Sequence, residues 1–117
     1  MAKKLEKSIW RSYFDTVSKA LAGKRVEIEV ASLKLGDQIE AEWLPLIGIT
    51  YDPKDDLIEV ALEGVDHLIY KPREVWIEGE GLDLSAIEVV DADGVRQIVT
   101  LSDPLMLPAP QPARQAG

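Results

Sequence analysis

The hydrophobic period of this chain changes once, near Lys24, and that change constrains the fold more than any other feature. Between residues 5 and 21 the apolar residues Leu5, Ile9, Trp10, Tyr13, Phe14, Val17, Ala20 and Leu21 recur at steps of three and four. Such spacing lines one face of a helix. Lys7, Arg11, Ser12, Asp15, Ser18 and Lys19 fill the opposite face, and Gly23 follows as a C-terminal stop. At 1.5 Å per residue the predicted helix is a rod of ~25 Å. Aromatic residues clustered on one stripe predict that it covers a large apolar surface, for which a sheet face is the natural candidate.

From Lys24 the period is two. Val26, Ile28 and Val30 alternate with Glu27 and Glu29, the pattern of a half-buried strand. Across Gly36-Asp37, Ile39, Ala41 and Trp43 alternate with Gln38, Glu40 and Glu42. Pro45 predicts a bend or a sheet edge, and residues 46–51 read as a further strand with Gly48 at a bulge. Asp52-Pro53-Lys54-Asp55-Asp56 is a turn in which Asp side chains bond nearby backbone and Pro sets φ. Strands are expected at 57–62, 65–70, 75–78, 84–90 and 95–101. Asp93-Gly94 joins the last two as a hairpin. A two-residue loop there pairs Val89 with Ile98; a three-residue loop, Ala92-Asp93-Gly94, slips the pairing by one and exchanges the faces.

The expected fold is α+β: an N-terminal amphipathic helix packed on a twisted, mostly antiparallel sheet of six to eight short strands, curled toward a half-barrel. Its core should draw on Trp10, Phe14, Val17, Val26, Ile28, Val30, Ile39, Trp43, Val60, Ile69, Ile87 and Val89. With 117 residues the chain suits one domain, and at this size folding buries roughly 65% of the chain's surface. The domain is expected over 1–104. Pro108, Pro110 and Pro112 stand at alternate positions and predict a disordered, Pro-rich tail over 105–117.

Composition removes several functions. The chain has no cysteine, so disulfides, thiolate metal sites, iron–sulfur clusters and a Cys nucleophile are excluded. Its net charge of -8 repels nucleic acid and anionic membrane, and any partner it favours is basic. The lysines near the start precede no apolar signal region, and no apolar run nears the ~20 residues of a membrane helix. A soluble cytoplasmic protein is the expectation. It binds no cofactor on this reading, and its partners are a basic protein or another copy joined through a sheet edge, with neither nucleic acid nor membrane.

The aromatic helix segment Trp10-Arg-Ser-Tyr-Phe14, the stretch Leu44-Pro-Leu-Ile-Gly-Ile-Thr-Tyr-Asp52, His67-Leu-Ile69 with Pro72, and the Asp93-Gly94 hairpin together resemble a small bacterial family catalogued as a domain of unknown function. The resemblance covers residues 8 to 101 and implies no activity to carry over.

Among candidate sites the most informative is acidic. If Val30 pairs with Ile39, Ile28 with Ala41 and Val26 with Trp43, one face is apolar throughout. The other then sets Glu29 opposite Glu40 and Glu27 opposite Glu42. Opposed like charges destabilise by a few tenths to ~1 kcal/mol per pair, so a cation or a basic partner should offset them. Long glutamates splayed into water beside Lys or Arg are the plainer account.

His67 is the single histidine. It is a candidate general base in a pocket between helix and sheet, although Asp66 beside it on a strand points to the other face. A Ser-His-Asp triad would need Ser8, Ser12, Ser18, Ser32, Ser85 or Ser102 brought near by the fold, and none sits in a nucleophile elbow. One His and no Cys exclude a multi-His metal site, and Asp52, Asp55 and Asp56 lack the EF-hand spacing, so no metal is expected. The 21 acidic residues always offer some carboxylate pair, but a chain this short rarely builds a sugar cleft too. Trp76 alternates against Val75 and Ile77; facing outward beside Tyr70, it would be a contact hot spot. The leading function is therefore a non-catalytic interaction module with Glu27, Glu29, Glu40, Glu42 and Trp76 at its binding face. The alternative is a small ligand-binding domain or enzyme around His67.

Overall fold

A computed structural model describes residues 2–34 and 36–103; the expected tail over 105–117 lies outside the described residues. The strands are β1 (Ala2–Leu5), β2 (Arg25–Ser32), β3 (Gly36–Asp52), β4 (Leu57–Leu62), β5 (Val65–Tyr70), β6 (Pro72–Glu78), β7 (Ala86–Asp91) and β8 (Arg96–Ser102). The helix α1 spans Trp10–Leu21, with 3-10 turns at Lys7–Ile9 and Gly81–Asp83. Among the described residues the strands form one antiparallel sheet in the order β1-β6-β7-β8-β2-β3-β4-β5. Its end strands, β1 and β5, do not pair, so the sheet is open. The α+β architecture is the expected one.

α1 begins later than its hydrophobic stripe. Leu5 fits that stripe by spacing, yet it is the buried last residue of β1, and the Trp10 indole N–H donates to its carbonyl at 3.1 Å. Ala2-Lys3-Lys4-Leu5 shows no alternation, so nothing in its pattern announces a strand. Trp10, Phe14, Val17 and Leu21 are buried as the stripe predicts. Gly23 at φ +92 ends the helix in the left-handed region that glycine enters freely.

β3 is one long strand where two were expected. It runs through Pro45 because it changes partner there. Arg25↔Pro45 is the last pair with β2, and from Leu46 the strand pairs with β4. Two register shifts against β2, and Trp43 at φ +53, bend it at the change-over. A third shift lies between Leu46 and Gly48, at the predicted bulge, and Ile47 is exposed there. Beyond Pro45, β2 no longer flanks β3 and α1 takes its place. The Ser18 hydroxyl accepts from the Ile49 N–H and donates to the Ile49 carbonyl, both at 2.7 Å. Ser18 therefore belongs to the packed side of the helix, not to the polar face that its spacing indicated.

The hairpin registers settle which face each residue takes. β7 and β8 adopt the three-residue loop: Val89 pairs with Gln97 and Ile87 with Val99. The Gly94 N–H donates to Asp91 O at 2.9 Å, and Gly94 lies at φ +77, the left-handed residue that closes such a loop. Between β2 and β3 only Ile28↔Ala41 matches the expected register. Glu29 pairs with Ile39 and Val30 with Gln38, because the shifts move each side of that pair by one residue. Ile39 is consequently 51% exposed rather than in the core, and Val30 and Trp43 are half-buried. Trp10, Phe14, Val17, Val26, Ile28, Val60, Ile69, Ile87 and Val89 are core residues as expected, joined by Leu5, Leu21, Leu46, Ile49, Tyr51, Ile58, Leu62 and Leu84.

Past the bend in β3 the sheet folds back on itself. His67 of β5 meets Gln97 of β8, four places away in the strand order, so the inner faces of these strands confront each other across the core.

Candidate functional site

Folding one face of β6, β7, β8 and β2 inward leaves the other face outward. Directly paired residues of adjacent strands project to the same side. One continuous row therefore crosses the sheet from β1 to β3: Lys4, Trp76, Glu88, Ile98, Glu29 and Ile39, each paired with the next. At 4.7–4.9 Å per strand it spans roughly 24 Å. On one side lies the row Glu74, Val90, Arg96, Ala31 and Asp37; on the other lies Glu78, Ala86, Thr100 and Glu27. The alternation that buries Val75 and Ile77, Ile87 and Val89, and Val26 and Ile28 puts these residues outside.

The face mixes apolar and acidic residues: along the middle row Trp76, Ile98 and Ile39 alternate with Lys4, Glu88 and Glu29, and further carboxylates stand in the rows on either side. Trp76, Ile98 and Ile39 supply the apolar surface. Glu27, Glu29, Asp37, Glu74, Glu78 and Glu88 outnumber the cations Lys4, Arg25 and Arg96, Arg25 lying two residues before Glu27 on the same side of β2. Arg96 is bonded to Glu88, and the Lys4 ammonium lies 6.0 Å from the centre of the Trp76 ring. The Trp76 indole N–H donates to Glu74 Oε1 at 3.0 Å. Glu29 shows the crowding of charge: a hydrogen bond with the Asp37 carboxyl, then burial, then the charges of Asp37 and Glu27, hold its carboxyl above the ordinary range.

Glu27, Glu29 and Trp76 thus share one face. Glu40 and Glu42 are exposed but sit in the two irregularities of β3, with no directly opposed residue on β2, so the facing glutamate pairs do not form. Trp76 is half-buried and does not adjoin Tyr70, which pairs with Leu57 and points outward from the fold-back strands. Glu88 and Ile98 escaped the sequence reading because their direction depends on the length of the Asp93-Gly94 loop. Ile39 escaped because the β2–β3 irregularities reverse its face.

His67 points inward. Its Nε2 is 2.5 Å from Gln97 Oε1, and Gln97 Nε2 donates to Asp91 Oδ2 at 3.1 Å. Asp91 Oδ1 accepts from the N–H groups of Asp93 (2.9 Å) and Val95 (3.1 Å). A carboxylate only accepts, so the amide nitrogen of Gln97 faces Asp91 and its oxygen faces His67. His67 Nε2 must then carry the proton. The chain joins β5 to the β7–β8 loop and accounts for a buried glutamine by giving both of its ends partners.

The Asp-rich turn has local partners as well. Asp52 Oδ1 accepts from Lys54 N at 2.9 Å, and Asp56 accepts from the Tyr51 hydroxyl at 2.9 Å. Burial, then that bond, push the Tyr51 phenol up to about 12. Burial, with Glu80 nearby, also raises the Tyr13 phenol. Among the described residues no three His, Cys, Asp or Glu side chains converge to hold a metal ion. A cleft of about 500 Å³ opens beside α1 and is lined by both signs of charge, Arg11 and Lys54 with Asp15, Asp52 and Glu59. Its lining does not include His67.

Among the described residues these elements define an α+β fold in which one α-helix packs on an open antiparallel sheet that buries one side and presents the other. The chain belongs to DUF5335, a family of unknown function whose model matches residues 1–110. It is also similar to an uncharacterised protein of the bacterium Aquifex aeolicus (strain VF5): 44% identical over 107 residues, covering 91% of this chain and 96% of that one. No solved structure matches it. Among the described residues no helix is long and apolar enough to cross a membrane.

Proposed function

We propose that this chain is a non-catalytic interaction module that binds a basic protein on the outward face of its sheet. The observation that carries the proposal is the row Lys4, Trp76, Glu88, Ile98, Glu29 and Ile39, in which apolar side chains alternate with charged ones and carboxylates stand in the rows on both sides. An indole on an accessible face supplies the anchoring surface typical of contact hot spots. The surrounding carboxylates select a cationic partner and repel nucleic acid. The Glu29–Asp37 contact would be relieved by a Lys or Arg inserted beside it. His67 lends less support to a small-ligand or enzyme pocket, since its Nε2 is already engaged by Gln97.

The test is capture from native lysate on the immobilised full chain at low and at high salt, with Glu27→Lys/Glu29→Lys and Trp76→Ala chains alongside. A basic protein should be retained stoichiometrically at low salt, leave at high salt as screening shortens the electrostatic range, and be lost on both variants. A partner held equally by all three chains, or none at low salt, refutes the proposal.

A further inference from the structure

The two end strands of the open sheet differ. β1 carries Lys3 and Lys4, the charged type that natural edges use against unwanted pairing. β5, Val65–Tyr70, has neither lysine nor proline and pairs with β4 without a bulge over its whole length. Val65, Leu68 and Tyr70 are 42%, 37% and 61% exposed.

The free side of β5 can be read from its ladder. The Lys71 N–H donates to Asp56 O, in register with the β4–β5 pairs. Antiparallel pairs alternate between bonded and non-bonded. Residues 69, 67 and 65 therefore turn their backbone groups to β4, while Asp66, Leu68 and Tyr70 turn theirs to the open side. Ile49 gives the same parity independently. Its backbone groups face Ser18, so its partner Val60 faces β5 and bonds His67.

We propose that two copies of this chain pair β5 to β5, antiparallel, about a two-fold axis at Leu68. With Leu68 on the axis, Asp66 of each copy bonds Tyr70 of the other, and all three outward-facing residues are used. A slip of two residues in either direction leaves one of them unbonded. Leu68 meets Leu68, flanked by the two Tyr70 rings, on one continuous surface. The charges suit the same arrangement. Exposed Glu63 and Asp66 lie at the start of β5, and exposed Lys71 and Arg73 follow its end. Antiparallel pairing lays the acidic end of each strand beside the basic end of the other. Such an interface is isologous and closes as a dimer.

Sedimentation of the full chain over a range of concentrations tests this, with Leu68→Lys, Leu68→Cys and Ile39→Lys variants. The native chain should form a dimer. Leu68→Lys, which opposes two lysines on the axis at a partly exposed site, should weaken it about tenfold or more. Because the chain has no cysteine, Leu68→Cys should oxidise to a cross-linked dimer faster than Leu33→Cys at the exposed β2–β3 turn. A chain that stays monomeric at every concentration overturns the proposal. So does a dimer that survives Leu68→Lys, or one that only Ile39→Lys dissolves, which would place the contact on the outward sheet face.

Discussion

Ser18 and Ile49 share a reciprocal pair of hydrogen bonds in which one hydroxyl replaces a missing strand: it accepts from the Ile49 N–H and donates to the Ile49 carbonyl, each at 2.7 Å. Where β2 ends, β3 would otherwise present two backbone groups to the flank of α1 with nothing to bond them. Ser18→Ala removes both partners at once. Leaving buried or half-buried polar groups unsatisfied costs about 1–3 kcal/mol, so urea unfolding should show a loss of that size. A loss below ~0.5 kcal/mol would mean that water replaces the serine fully.

The fold-back of β5 over β8 is held in part by His67, Gln97 and Asp91. A double-mutant cycle between His67→Ala and Gln97→Ala should return a coupling of about 0.5–3 kcal/mol, the range for residues in one hydrogen-bond network. Strict additivity would show that the contact contributes nothing to joining the two parts of the sheet.

Glu29 makes stability depend on pH in an unusual direction for a carboxylate. Its folded pKa is raised, first by the hydrogen bond with Asp37. The native state therefore binds this proton at a higher pH than the unfolded chain does. Stability rises with pH wherever the unfolded state binds more protons, and here the reverse holds. The contribution of Glu29 is present below its unfolded pKa and is lost as pH rises through the folded value. Glu29→Gln should thus stabilise the protein relative to wild type at neutral pH, with the difference shrinking as pH falls through the carboxylate range. Denaturant midpoints at neutral and acid pH measure this; an advantage that grows on acidification would refute it.

The helix stripe, the alternating strands and the Asp-Gly hairpin were legible because each is written in neighbouring residues. Trp10, Phe14, Val17, Val26 and Ile28 are buried where spacing alone put them. β1 was not legible, since its four residues carry no period and gain their place only by pairing with β6. Ser18 was misassigned because helical spacing places it with the charged residues, and only the end of β2 gives it backbone to bond.

The acidic face was legible in part. Glu27, Glu29 and Trp76 lie on the outward side of the sheet, but the row that unites them also needs Glu88, Ile98 and Ile39 from other strands. A shift of one residue exchanges the two faces of a strand; here the length of the β7–β8 loop sets one register and irregularities within the β2–β3 pair set the other. Hydrophobic periodicity alone determined the α+β class, the position of the helix and most of the core, because burying an apolar stripe is a local demand repeated along the chain. Tertiary structure decided the register, the bend of β3, the partners of Ser18 and His67, and which strand was left as an open edge. Each of these depends on backbone hydrogen bonds between segments far apart in sequence, and no local pattern encodes them.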